Sequence, residues 1–262
     1  EFSGRYNGSS RFARDSRWGF FPSVSAGYNI SKEHFWTPLN PYINALKIRG
    51  SYGSLGNQNV QNYLYLSTVA VNSNLNYVIN NSRPVYAQVP RIISSDLTWE
   101  TVTTFDLGLD AGLLNNRLNI TFDWYNRKTS NMLGPSRDLP AVLGTTAPAE
   151  NNAELETKGF ELSLDWKNRI SRDFSYNLRL TVGNSRSKIL KYKNDDKTID
   201  TWYDGKNYGE IWGFITDGLI QKAGEQMPDQ SKYYSSWGPG DVKYQDVDGN
   251  GVLNDGKGAE DD

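Results

Sequence analysis

Apolar and polar residues alternate one by one along several long stretches of this chain. In DFSYNLRLTVGN, residues 173–184, the even positions from 174 to 182 are apolar, and the odd positions are polar or glycine. A period of two is typical of a β-strand with one dry face and one wet face. We therefore expect Leu178 on the dry face and Asn177 on the wet face.

The same alternation recurs along most of the chain and predicts an all-β protein. It predicts six strands, at about residues 18–30, 46–56, 97–113, 117–130, 156–167 and 173–188. Short turns are expected at 114–117 and 167–172, a moderate one at 31–45, and long polar loops at 57–96, 131–155 and 185–262. Each long loop follows a strand that points the same way, so all of them should leave one end of a single domain, 1–262.

The dry face could cover a protein core or contact lipid. Strands of soluble proteins average about 5–6 residues, whereas several alternations here hold for ten or more. The wet faces also carry charged residues such as Asp106, Asp123 and Glu161. The rings of Trp166 and Phe174 flank a basic turn, an arrangement typical of a membrane interface. We interpret the chain as an antiparallel transmembrane β-barrel segment with long extracellular loops.

Composition narrows the range of functions. The net charge is −2, so we expect no nucleic-acid partner. The chain has no cysteine and one histidine, His34, so neither a zinc site nor a Ser–His triad can be assembled and we do not expect an enzyme. Apolar residues make up 37% and aromatic residues 13%, which suits strands with one apolar residue in two. Because the chain opens on EFSGRYNG without a methionine, we expect a fragment or a processed product.

The stretch DVDGNGVLND is the sharpest local motif. It places oxygen ligands at alternate positions, as a calcium loop does: Asp246, Asp248, Asn250 and, through its carbonyl, Val252. Gly251 would allow the sharp turn, but position 12 is Lys257 and not the usual acid, so an acid at 255 or 260–262 would have to replace it. We expect no cofactor other than a candidate calcium ion in loop 246–255. The alternative is an acidic hairpin tip.

The last long loop is rich in aromatic residues. Six of them are candidates for contact with a ligand or a lid: Trp202, Tyr203, Trp212, Tyr233, Tyr234 and Trp237. Sugars stack on exposed rings, which supports this interpretation. The alternative is that a loop of this length needs a small core of its own and that these rings supply it.

Six ordered segments together resemble the SusC/RagA family of TonB-dependent outer-membrane transporters. They are RWGFFPSVSAGYNIS, LKIRGSYGSLGNQ, LTWETVTTFDLGLDAGLLNNRLNITFDWYNRKTSNML, NAELETKGFELSLDW, YGEIWGFITDGLIQ and GDVKYQDVDGNGVLND. The resemblance runs along nearly the whole chain. It implies a large barrel of about 22 strands with a plugged lumen, of which this chain would supply a C-terminal part of the wall without the plug domain.

The resemblance also implies a function and partners. Members of that family import glycans or peptides across the outer membrane of Bacteroidota, driven by the TonB complex, and a SusD-like surface lipoprotein caps the barrel. We accordingly expect an outer-membrane location, a lipid bilayer around the dry face, and a glycan or peptide ligand. A surface-exposed soluble β-sandwich that binds carbohydrate is the alternative, and an outer-membrane enzyme is a weaker third.

Overall fold

The computed structural model describes residues 1–254 except 63, 74, 89, 91, 95, 137–139, 141, 143, 145–146 and 196. In chain order the strands are β1 Phe2–Gly8, β2 Trp18–Asn29, β3 Ile43–Asn57, β4 Val71–Asn72, β5 Tyr86–Ala87, β6 Glu100–Leu113, β7 Leu118–Gly134, β8 Glu150–Arg169, β9 Ser175–Lys191, β10 Thr216–Leu219 and β11 Val242–Tyr244. Three short 3₁₀ helices span Arg14–Ser16, Ile30–Lys32 and His34–Leu39. No helix in the described ranges is long and apolar enough to span a membrane.

Seven of the strands form one antiparallel sheet in the order β1-β2-β3-β6-β7-β8-β9. Neighbouring strands of the sheet follow one another along the chain, apart from the β4–β5 pair that lies within a long connector. The pairs β4–β5 and β10–β11 form two small sheets of their own. The fold is therefore all-β and antiparallel, as the alternation predicts, and among the described residues the seven-stranded sheet does not close into a barrel.

The structure adds strands to the six that the alternation predicts and moves several of their ends. Strand β1 and the two small sheets were not predicted. Strand β8 begins at Glu150 and not near 156, and β9 continues to Lys191. The last short turn lies at 170–174 and not at 167–172, because β8 ends at Arg169. The loops predicted at 131–155 and 185–262 are accordingly shorter, since their first or last residues belong to the sheet.

The strand register brings residues of the same kind side by side on each face. One row across six strands is apolar throughout: Tyr28, Ile48, Leu109, Phe122, Leu162 and Val182. The adjacent row on the opposite face is polar or glycine: Gly27, Arg49, Gly108, Asp123, Glu161 and Gly183. The period-two pattern of each strand thus becomes one apolar face and one polar face of the whole sheet.

The apolar face remains open. Leu178 is 63% exposed and Phe2 is 72% exposed, whereas a sandwich would bury such residues beneath a second sheet. Within the part of the chain that the structure describes, neither small sheet packs on this face. The soluble sandwich is therefore not supported, and lipid is the environment that suits an uncovered apolar face of this size.

The two ends of the sheet differ. The connectors 9–17, 58–99 and 135–149 and the segment after β9 all leave from one end, the long-loop end. A small core lies there, formed by Phe12, Phe21, Leu97 and Trp99, which are all at most 7% exposed. The other end, the short-turn end, carries the turns at 30–42, 114–117 and 170–174.

Candidate functional site

The segment 192–254, which follows β9 at the long-loop end, carries most of the residues singled out from the sequence. It first folds back onto the edge of β9. The amide of Tyr208 donates to the carbonyl of Ser187 at 2.8 Å, and the amide of Ile189 donates to the carbonyl of Lys206 at 2.8 Å. The start of the segment is thus tied to the sheet.

A lysine and a tyrosine–glutamate pair hold this return in place. Lys206 is 9% exposed, and its ammonium donates to the carbonyls of Ile199 and Thr201. The hydroxyl of Tyr203 donates to Glu210 at 2.7 Å. That hydrogen bond lowers the pKa of Glu210 and raises the pKa of Tyr203, because it favours the ionised carboxylate and the protonated phenol. Tyr203 therefore has a structural partner within the loop.

The rings of the segment form two separate groups. Trp202 packs between Tyr192 and Tyr208, with ring centroids 5.4 and 5.9 Å away. The second group links Phe214, Tyr233, Tyr234, Trp237 and Tyr244 through centroid distances of 5.1–6.2 Å. The six aromatic residues predicted from the sequence are therefore not brought together on one surface. Most of them contribute to the packing of the loop itself.

The surface that remains exposed is partly aliphatic. Trp212 and Tyr234 are each 55% exposed, so these two of the six predicted residues present the most ring surface. Close to Trp212 in the sequence, Ile211 and Ile215 are 94% and 58% exposed. Sequence reasoning missed both isoleucines. The signal was available in IWGFI, residues 211–215, an apolar run that a solvated loop would not need.

The second group of rings surrounds a buried amide. Gln230 is 1% exposed, and its side chain donates to the carbonyl of Val242 at 3.0 Å and accepts from the amide of Tyr244 at 3.2 Å. The backbone carbonyl of Gln230 accepts a hydrogen bond from the indole N–H of Trp237 at 2.8 Å. Gln230 thus fixes strand β11 against the aromatic rings, which makes the segment a small folded unit.

A lysine joins the two strands of this unit. The ammonium of Lys243 lies 3.0 Å from Asp217 and 3.1 Å from Glu225. The hydrogen bond to Asp217 is the main cause that raises the pKa of Lys243, and the hydrogen bond to Glu225 is the second. The pKa of Glu225 is lowered mainly by the hydrogen bond that its carboxylate accepts from the backbone amide of Gln221. The hydrogen bond from Lys243 is the second cause. The contact of Lys243 on β11 with Asp217 on β10 holds the two strands together.

The predicted calcium loop is folded around its own backbone. The carboxylate of Asp246 accepts from the amides of Gly249 at 2.7 Å and Gly251 at 2.8 Å, and these bonds lower its pKa. Asp248 accepts from the amide of Asn250 at 2.9 Å. Among the described residues, no three His, Cys, Asp or Glu side chains are grouped so that they could hold a metal. The calcium site stays a prediction, and the candidate acids at 255 and 260–262 lie outside the described residues.

An ion-pair cluster occupies the polar face of the sheet. Nη2 of Arg49 lies 2.6 and 2.7 Å from the two carboxylate oxygens of Asp123, and its Nε lies 3.1 Å from Asp110. Asp106 is more distant, at 3.8 Å. A polar, charged wall of this kind suits a water-filled or protein-filled lumen and would not suit a packed soluble core.

Comparison with known proteins agrees with this geometry. A family model described as "TonB dependent receptor-like, beta-barrel" matches residues 1–257. TonB-dependent receptor P3 of Formosa agariphila is 32% identical over 96% of this chain and 26% of the relative. TonB-dependent receptor SusC of Bacteroides thetaiotaomicron is 31% identical over 97% of this chain and 26% of the relative.

Solved structures give a similar result. The RagAB peptide importer in its open-open state superposes with a TM-score of 0.71 and 26% identity, over 93% of this chain and 26% of that one. The RagAB peptide transporter gives a TM-score of 0.69 and 26% identity, over 84% of this chain and 24% of that one. The chain spans about a quarter of the length of the relatives that it matches.

Proposed function

Because the chain belongs to the TonB-dependent receptor-like β-barrel family, whose members are outer-membrane transporters, we propose that it forms part of the barrel wall of a nutrient importer. The observation that carries the proposal is the seven-stranded sheet with one uncovered apolar face and one charged face. Such a sheet can separate lipid from a polar lumen. The protein would reside in the outer membrane and receive energy from the TonB complex through parts outside this chain.

The long-loop end would face the cell exterior. This orientation follows the general asymmetry of outer-membrane barrels, which have short periplasmic turns and long extracellular loops. A SusD-like surface lipoprotein would cover this end and hold the ligand against the barrel. The exposed side chains of Ile211, Trp212 and Ile215 support the location of that contact, because apolar side chains surrounded by polar ones are typical of protein interfaces.

The ligand would be a glycan or a peptide. Relatives include SusC and the RagAB peptide transporter, and the ligand of this chain is proposed only at the level of those two classes. Selectivity would reside in loops at the long-loop end and in the partner.

A deletion tests this proposal. Residues 211–252 of the full-length protein are replaced by a short Gly-Ser linker. This deletion keeps residues 205–208, which hydrogen-bond to the edge of β9. We expect the barrel to insert normally, because loops outside the bilayer contribute little to strand pairing. Co-purification of the lipoprotein and growth on the cognate nutrient should both be lost. An intact complex with normal growth would contradict the proposed role of the segment.

A substitution with a matched control makes the test sharper. Ile211→Ser combined with Ile215→Ser removes exposed apolar surface without removing the loop. Val78→Ser combined with Ile79→Ser does the same at a similarly exposed pair in another long connector, where the residues are 61% and 53% exposed. Only the first pair should weaken capture of the lipoprotein. Equal effects would mean that the contact is not specific to the segment after β9.

A further inference from the structure

The apolar face of the sheet ends, toward the long-loop end, in a group of charged residues on strands β7, β8 and β9. The register places them in successive rows of that same face. The row of Leu107, Trp124 and Phe160 is followed by that of Phe105, Asn126, Lys158 and Arg186, and then by that of Thr103, Lys128, Glu156 and Lys188. Residues directly opposite each other, or two apart on one strand, point to the same side of a sheet. Cations and apolar residues therefore share one surface here.

Aromatic rings lie immediately before these charges. Phe105, Trp124 and Phe160 are 40%, 37% and 37% exposed, and the ring centroids of Phe105 and Trp124 are 6.2 Å apart. Exposed rings followed by long cations are typical of a membrane–water interface, where rings lie at headgroup level and cationic side chains extend into the polar layer. We therefore place the charged group, which we call the charged belt, at the headgroups of the leaflet on the long-loop side.

The carboxylates of the charged belt already have partners. The ammonium of Lys128 lies 2.7 Å from Glu154, and that of Lys158 lies 2.9 Å from Glu156. Among the described residues, neither Arg186 nor Lys188 forms an ion pair. The charged belt thus holds more cations than carboxylates and would attract an anion.

Two cations of the charged belt lie directly opposite each other. Lys158 on β8 is in register with Arg186 on β9. Like charges directly opposite on neighbouring strands are destabilising, and both side chains are accessible, since that of Lys158 is 55% exposed and Arg186 is exposed. An anion held between them would remove the repulsion. A phosphate suits this position, because a guanidinium can donate two hydrogen bonds to it and an ammonium binds it as a point charge.

We propose that Lys158 and Arg186 bind the phosphate of an anionic lipid in the outer leaflet of the outer membrane. The acyl chains would lie on Phe160 and Val182, which belong to the same face of the same two strands and are 37% and 44% exposed. A lipid is the occupant that fits, because the cations continue directly into the apolar face that the bilayer covers. The choice of leaflet rests on the orientation given under the proposed function.

Native mass spectrometry of the full-length protein in a nonionic detergent tests the inference. Monophosphoryl lipid A and the same lipid without its phosphate are titrated separately. The wild type should prefer the phosphorylated lipid. A cation near an anionic lipid surface contributes about a fivefold change in binding, so Lys158→Gln combined with Arg186→Gln should bind that lipid about 25-fold more weakly. Both proteins should bind the dephosphorylated lipid equally.

A matched control removes the same charge from the other face. Arg127 on β7 and Lys167 on β8 are exposed on the polar face, so Arg127→Gln combined with Lys167→Gln should leave lipid binding unchanged. Inorganic phosphate should compete poorly, because it has no acyl chain to contact Phe160 and Val182. Heat-dependent electrophoretic mobility verifies that each variant is folded.

Four results would each overturn the proposal. They are an unchanged affinity in the Lys158–Arg186 variant, an equal loss in the control variant, equal binding of the two lipids to the wild type, and full competition by inorganic phosphate. The titration depends neither on uptake nor on the lipoprotein. Its failure would therefore leave the proposed transport function intact, and a failed growth assay would leave the lipid result intact.

Discussion

The guanidinium of Arg49 lies across Gly108, the residue directly opposite it on the neighbouring strand. A Cβ at position 108 would overlap the guanidinium, whose nearest atoms are Cζ, Nη1 and Nε. Because glycine leaves this space open, Arg49 on β3 reaches past β6 and contacts Asp123 on β7. Three consecutive strands of the wall are thereby linked by one side chain.

Gly108→Ala should displace Arg49 and break its bonds to Asp110 and Asp123. These groups are partly exposed, so the loss in the free energy of unfolding should be about 1 kcal/mol. Thermal unfolding of the full-length barrel measures it. Gly50→Ala is the matched control, because a Cβ there has its nearest neighbour, Leu107, at an ordinary 3.4 Å. Equal shifts in both variants would contradict the role of Gly108.

A charge introduced near the middle of β9 should destabilise the barrel much more on the apolar face than on the polar face. Leu180 is 56% exposed on the apolar face, and the side chain of Thr181 lies next to that of Ser163 on the polar face, at an oxygen–oxygen distance of 3.5 Å. Leu180→Arg should cost roughly 2–4 kcal/mol if its position lies near the bilayer midplane. Thr181→Arg should cost much less, because polar groups surround it. The yield of heat-modifiable barrel in the outer membrane compares the two, and the reverse order would refute the assignment of the faces.

Gln230 should control whether the segment after β9 stays folded. Gln230→Leu leaves the amide of Tyr244 and the carbonyl of Val242 without their partner, which costs about 1–3 kcal/mol. Proteolysis within 209–254 should become about five- to a hundredfold faster, since it tracks the population of the open form. Gln221→Leu is the control, because Gln221 is exposed and bonds only locally. A protease rate that does not change for Gln230→Leu would mean that the rings alone hold the segment.

Calcium should bind loop 246–255 weakly, with a Kd of about 10⁻⁴–10⁻³ M, the range of extracellular modules. Calorimetry with the full-length protein measures it, and Asp246→Asn should weaken binding at least about tenfold. Asp241→Asn is the control, since Asp241 makes a similar turn bond to Gly238 outside the motif. If the wild type shows no heat of calcium binding, the calcium prediction is wrong and the loop is an acidic hairpin tip.

The calcium prediction also carries a pH dependence. Because backbone amides lower the pKa of Asp246 below its ordinary 3.8, its carboxylate stays charged above that value. A carboxyl group with a lowered pKa acts as a ligand above its ordinary pKa and loses that ability as the pH falls through the lowered one. Binding should therefore persist at about pH 5 and weaken only in stronger acid.

The sequence by itself determined six of the seven strands of the large sheet and the character of their two faces. Alternation is a local property, and each residue of a strand points to the face opposite to that of its neighbour whatever the rest of the chain does. Leu178 and Asn177 could thus be assigned to opposite sides before any strand was paired. The common end of the long loops followed from the same counting.

The sequence underestimated strand length where the alternation is interrupted. The register shifts between Thr129 and Met132 on β7 and between Glu154 and Leu155 on β8. A bulge adds one residue and moves the following side chains to the other face, so a strict period-two count ends there although pairing continues. Strand β1 was missed because seven residues with two glycines hold too short a pattern.

Tertiary structure alone decided which distant residues meet. Arg49 and Asp123 are far apart in the chain, and their contact depends on the register of three strands and on the space above Gly108. The division of the loop rings into two groups depends in the same way on the pairing of β10 with β11. Neither relation leaves a local pattern, because a side chain's partner is set by the path of the whole backbone and not by its neighbours in sequence.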